Sequence, residues 1–152
     1  MTDLERLAAW LPTTGLALAP GASLQPLGGG IANRNERIML TTGQAVLRRP
    51  PPGVLAAGAS DMAREARVLA ALAPNFPLAP RLLAYCNDEA VLGTRFQLLE
   101  WRDGIAIRDS LPAAAGNGLA LVQTTLSAMA ALHALDAGAV GLGDLGNSRF
   151  GN

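Results

Sequence analysis

The sequence holds one cysteine and one histidine, and each scarcity removes a class of chemistry. Cys86 alone cannot close an internal disulfide, which fits a reducing compartment. With His133 the single histidine, transition-metal sites built from His and Cys, and Ser-His or Cys-His nucleophile pairs, are excluded. Aromatic residues make up 4% of the chain, too few for a base-stacking surface. Charge of one sign is also lacking: 12 basic and 12 acidic residues cancel, so nothing points to nucleic acid or an anionic membrane surface as partner. Long apolar runs are missing too. The longest uncharged stretch, Ser110 to Leu135, carries Pro112, Gln123, Thr124, Thr125, Ser127 and His133, too polar for a bilayer span of roughly 20 residues. The start, M-T-D-L-E-R, has acids where a signal peptide has lysines and an apolar core. A soluble, cytoplasmic protein is the expectation.

What is present is a chain of 152 residues, half of them hydrophobic and 16% charged, enough for one domain with a real core. Leu4, Leu7, Ala8 and Leu11 recur at helical spacing, predicting a short amphipathic helix that ends at Pro12. Strands are expected at Leu24 to Leu27, Arg37 to Thr41 and Gln44 to Arg49, with Thr42-Gly43 as the tight connection between the last two. Pro50, Pro51 and Pro52 stop the pairing. A helix from Ser60 or Asp61 to about Ala73 stops at Pro74, and Met62, Ala66, Leu69, Leu72 and Ala73 share its apolar face. Further strands are expected at Arg81 to Cys86 and Thr94 to Trp101, with a turn at Asn87-Asp88-Glu89. A last helix, about Gly118 to Ala137, is apolar nearly all round and calls for burial on more than one side.

The order strand–strand–strand–helix–strand–strand–helix predicts an antiparallel α+β lobe followed by a helix in need of partners. Residues 1–23 are expected to form the N-terminal helix and loop and 24–104 the lobe, while 105–152 hold a helix and a tail that look cut off. Either another chain or another domain is expected to cover the last helix.

Three features carry candidate chemistry. Gly28-Gly29-Gly30 with Asn33 and Asn35 favours positive φ and backbone N–H groups turned toward an anion, although most glycine clusters are simply turns. No G-K-[S/T] follows, and the flanking pattern is a hairpin, so neither a Walker loop nor a dinucleotide fingerprint fits. On the third strand Val46 and Arg48 share a face, an apolar cover beside a cation that could reach phosphates. The alternative is that Arg48 and Arg49 solvate a sheet edge. Glu65 falls inside the apolar face of the following helix, where a carboxylate costs free energy unless a cation meets it. Arg48 and Glu65 would then be two halves of one ion pair; otherwise Glu65 is a partly exposed helix-edge acid. Cys86 reads as packing, and His133, with only Asp136 nearby, as an ordinary helical histidine.

The succession G-G-G-I-A-N-R-N, A-V-L-R-R-P-P-P-G, A-R-E-A-R-V-L-A-A-L, F-Q-L-L-E-W-R-D-G, A-L-H-A-L-D and G-L-G-D-L-G resembles the aminoglycoside phosphotransferase family. It is most similar to bacterial phosphotransferase-family proteins related to the kinase-like domain fused to some acyl-CoA dehydrogenases. The resemblance implies a protein-kinase-like N-terminal lobe, here a five-stranded antiparallel sheet with one packed helix, and the first helix of a C-terminal lobe. It implies ATP as the nucleotide, with Arg48 on its α- and β-phosphates, Glu65 as the partner of Arg48, and Gly29, Gly30 and Asn33 in the loop above. The backbone of Glu100 and Arg102 would meet adenine, and Val46 would cover it. The family's H-G-D-x-x-x-x-N catalytic loop and its downstream metal-binding Asp have no counterpart: Gly143-Asp144 lacks the preceding His, and Arg149 stands where the Asn would be. No catalytic or metal residue is therefore assigned, and Mg²⁺ is expected only with a complete C-terminal lobe. The expected function is the ATP-binding portion of a small-molecule kinase, inactive alone, with an unidentified hydroxyl-bearing substrate. The alternatives are a non-catalytic nucleotide-binding or interaction module and a gene fragment without function.

Overall fold

The structure is a computed structural model that describes residues 1–28, 33–51, 53, 61–105, 107 and 109–145. The chain divides into two compact units, Met1–Ala70 with Pro80–Trp101, and Ala71–Ala79 with Arg102–Asn152. The first contains five strands, β1 (Gln25–Pro26), β2 (Arg34–Leu40), β3 (Gly43–Arg49), β4 (Leu82–Cys86) and β5 (Phe96–Glu100). They form one antiparallel sheet in the order β1-β2-β3-β5-β4, so β5 inserts between β3 and β4. The α+β class and the five antiparallel strands agree with expectation.

Helix α1 (Asp3–Trp10) starts on a reciprocal cap. The Glu5 N–H donates to Thr2 Oγ1 at 3.2 Å, and the Thr2 N–H donates to Glu5 Oε2 at 2.7 Å. Proline does not end the chain's helical course directly: a 3₁₀ turn, Leu11–Thr14, carries Pro12 and closes at Gly15, whose φ of 79° suits glycine. Leu7 and Leu11 are fully buried against Ile38, Leu40, Ala45, Leu47, Phe96 and Leu98, while Ala8 is exposed. Trp10 meets Phe96 edge-on, with centroids 4.9 Å apart. The N-terminal helix is thus part of the lobe's core and covers one face of the sheet, where only one packed helix was expected.

The hairpin between β2 and β3 turns at Thr41-Thr42, one residue earlier than predicted, because Gly43 already pairs with Leu40. Strand β2 begins at Arg34, three residues before the expected start, and β5 is trimmed to Phe96–Glu100. Asn87-Asp88-Glu89 is not a simple turn: Asp88 caps a four-residue helix, α3 (Glu89–Leu92), by accepting from the Ala90 N–H at 2.9 Å, and Gly93 at φ 78° ends it. Cys86 is buried, as a packing role requires, and burial pushes its thiol pKa up.

Helix α2 (Met62–Leu72) is capped by Asp61, whose Oδ1 accepts from the Arg64 N–H at 3.0 Å. Met62, Ala66 and Leu69 are buried, Arg64 and Arg67 exposed; Leu72 is half-buried, and Ala73 lies beyond the helix end and is exposed. In the second unit, α4 (Gly118–His133) is capped by Asn117 and stops four residues before the predicted Ala137. None of its residues is buried, and Leu119, Val122, Leu126 and Met129 are all exposed. No described helix is long and apolar enough to cross a membrane.

The sheet-edge alternative for the arginine pair fails for Arg49. Its side chain is 6% exposed and lies on the α1 side, where Nη2 meets Glu36 Oε2 at 2.7 Å and Nη1 meets Asp3 Oδ2 at 2.7 Å. Glu36, 1% exposed, also takes Arg34 Nη2 on Oε1 at 2.7 Å. Removing one member of a buried pair leaves an uncompensated charge and costs about 3–5 kcal/mol. Urea unfolding of Glu36→Ala is expected to show a loss of that order, whereas Arg34→Ala, at the half-exposed end, is expected to lose under about 1 kcal/mol.

Candidate functional site

The register of the sheet sets the site. Residues directly opposite on neighbouring strands share a face. Asn35, Arg48, Gln97 and Tyr85 therefore form one row across β2, β3, β5 and β4, on the face away from α1. The adjacent row on that face runs Gln25, Arg37, Val46 and Leu99. Val46 is half-buried and Leu99 buried, so an apolar strip lies beside the polar row, about 7 Å along the strands.

Arg48 Nε stands 2.7 Å from Glu65 Oε1, and Arg48 Nη1 donates to Asn35 Oδ1 at 3.1 Å. The helical phase that buries Met62, Ala66 and Leu69 is what turns Glu65 toward the sheet. The pair is 26% and 30% exposed, open to solvent yet fixed from two elements. Beyond Gln97 in the row, the Tyr85 hydroxyl donates to Asn87 Oδ1 at 3.0 Å. Burial raises the Tyr85 pKa; Arg95 partly offsets this, and the Asp61 carboxylate at the start of α2 adds to it.

The remaining candidates fall in three places. Asn33 is half-buried just before β2, and Gly29 and Gly30 lie outside the described residues. Glu100 ends β5: its N–H donates to the Arg81 carbonyl at 2.9 Å, and its carboxylate accepts from the Arg81 N–H and pairs with Arg81 Nε at 3.4 Å. Arg102 belongs to the second unit, where its guanidinium donates to the Pro77 and Ala79 carbonyls at 2.9 and 3.2 Å. The structure thus brings Val46, Arg48 and Glu65 together. Sequence reasoning missed Arg37, which sits opposite Val46, donates to Gln25 and Gln44, and lies 6.0 Å over the Trp101 ring. The signal was available, since Arg37 pairs with Val46 once the hairpin register is fixed.

A second cleft, of about 340 Å³, opens on the other side of the sheet between Arg34, Arg49, Pro50, Gly93 and Thr94. Its arginines already face Glu36 and Asp3, so its charge is balanced internally. Among the described residues no group of three His, Cys, Asp or Glu could hold a metal ion.

Residues 23–151 match the phosphotransferase enzyme family. The chain belongs to that family. A crystal structure from Ralstonia eutropha described as an aminoglycoside phosphotransferase superposes on 95% of the chain with a TM-score of 0.74 and 30% identity, the match covering 42% of that protein. The chain therefore has the fold of the part of that kinase-like structure that it matches. Among curated proteins, it is 39% identical over 110 residues to the "Probable acyl-CoA dehydrogenase IBR3" of Arabidopsis thaliana, and 33% identical over 119 residues to acyl-CoA dehydrogenase family member 10 of mouse. Those matches cover 70% and 77% of this chain but only 13% and 11% of the relatives' length.

An ion pair as open as Arg48–Glu65 contributes under about 1 kcal/mol to folding. A double-mutant cycle of Arg48→Ala and Glu65→Ala, read by urea denaturation, is expected to give a coupling energy within that bound, well short of the Glu36→Ala loss.

Proposed function

We propose that this family member is the ATP-binding portion of a small-molecule phosphotransferase, whose complete reaction moves the γ-phosphoryl group of ATP to a hydroxyl of a metabolite. The observation that carries this reading is the Arg48–Glu65 pair standing beside the apolar strip of Val46 and Leu99. An apolar strip of that width covers a flat purine, and a guanidinium about 7 Å away meets phosphate oxygens with several donors in one plane. Glu65 fixes the guanidinium so that little side-chain entropy remains to be lost on binding. Membership of the phosphotransferase family supports the reaction class. Asn33, just before β2, would lie beside the phosphates, and the Glu100 backbone at the end of β5 would meet the adenine edge.

In this class catalysis is mostly positioning and charge stabilisation. Arg48 and Glu65 supply the positioning half. No H-G-D-x-x-x-x-N motif stands in the sequence to receive the substrate proton and hold Mg²⁺. The chain by itself is accordingly a nucleotide binder without turnover.

A second reading is an interaction module whose partner seats on α4, favoured by the exposure of Leu119, Val122, Leu126 and Met129. In that case Arg48→Ala leaves the behaviour of the chain unaltered.

Titration with a fluorescent ATP analogue separates the two. Wild type is expected to bind, and Arg48→Ala to bind about 10–100-fold more weakly, the span of a charge-assisted contact to phosphate. A coupled assay for ADP release is expected to show no turnover. Turnover abolished by Arg48→Ala would overturn the assignment of this chain as a binding portion only, and equal binding by both proteins would sink the nucleotide reading.

A further inference from the structure

Within the row Asn35, Arg48, Gln97 and Tyr85, one residue is out of keeping. Asn35 accepts from Arg48, Arg48 meets Glu65, and Tyr85 donates to Asn87. Gln97 is fully buried, and among the described residues neither its Nε2 nor its Oε1 has a hydrogen-bond partner. A buried amide in that condition bears the desolvation penalty of its donors and acceptor with nothing in return. Methionine or leucine, of similar volume, would fill the space without it. The amide makes physical sense if another state of the site uses it.

The groups within reach identify that state. Gln97 lies directly opposite Arg48 on the same face, so their Cβ atoms are about 5 Å apart. A primary amide offers an acceptor and donors together, and the Arg48–Glu65 pair presents the complementary set, guanidinium N–H groups and carboxylate oxygens. A charged acid or base at this position would compete with one member of the pair. Glutamine serves both.

We propose that Gln97 is a positioning residue of the nucleotide site. When phosphate draws the Arg48 guanidinium toward it, Gln97 Oε1 accepts from the guanidinium and Nε2 donates to Glu65, holding the pair at its spacing from behind. Gln97 never touches the nucleotide. The inference rests on the nucleotide reading above and adds to it a residue that the free chain leaves unused.

The test compares Gln97→Met and Gln97→Leu with wild type, in the full chain, by thermal melting without nucleotide and by titration with a fluorescent ATP analogue and with adenosine. At least one variant is expected to melt at or above the wild-type temperature, since the unused amide is gone. Both are expected to bind the ATP analogue about tenfold more weakly, the effect of one hydrogen bond to a charged group, with adenosine affinity unchanged. Equal loss for ATP analogue and adenosine would make Gln97 a packing residue and overturn the proposal. So would unchanged ATP-analogue binding, or destabilisation of both variants, which would mean that the amide already has work in the free chain. A wild type that binds no nucleotide overturns the nucleotide reading and this one together; a wild type that binds as its variants do overturns this one alone.

Discussion

The period of two along β3 governs the lobe. Successive residues on a strand point to opposite faces, so adjacent arginines cannot share one environment. Arg49 is sent into the layer beneath α1 and Arg48 to the face that meets α2. Each cation must then find a carboxylate, and the sequence supplies them from different directions: Glu36 and Asp3 for Arg49, Glu65 for Arg48. Both helices are tied to the same strand by charges one residue apart. The two ties differ in kind, because the buried one holds a costly charge in place while the open one adds little to folding.

Much of this was legible in the residues. Alternation alone separated Val46 and Arg48 from Leu47, and helical phase alone put Glu65 among Met62, Ala66 and Leu69. Those are local periodicities, and local periodicity survives without knowledge of the fold. The Arg49 network was not read, although Glu36 stands two before Ile38 and four before Leu40 and so shares their buried face. An acidic residue at the start of an apolar strand looks like an exposed terminus until its partner is known, and Asp3 lies 46 residues from Arg49 in sequence. α3 was lost for a different reason. Four residues carry no periodicity, so only the Asp88 cap and Gly93 stop could mark it. The burial of Gln97 follows from β5 being an inner strand, a matter of strand order that no single stretch encodes. Two of the three glycines of the Gly28-Gly29-Gly30 loop lie outside the described residues, and the candidate site rests on β3, α2 and β5.

Strand order also explains why Arg48 suits a site at all. β3 is the middle strand, paired with β2 on one side and β5 on the other, so its backbone is fixed by ladders along both edges. A side chain on such a strand has only its own torsions to move. The residue that follows it is locked from the opposite face by Glu36 and Asp3, which restrains the peptide unit between the two arginines. A long cation is normally a poor positioning device because its rotamer freedom must be lost on binding. Here the Cα and Cβ of Arg48 are set by the sheet, and its guanidinium is steered by Asn35 and Glu65. The buried network on the α1 side therefore serves the open site on the α2 side: it makes rigid the strand from which Arg48 projects. Positioning of this sort lowers the entropic cost of each contact to a ligand rather than adding contacts. It follows that damage to the Arg49 network, on a face no ligand need touch, should loosen Arg48 as well, because the two residues share one peptide plane.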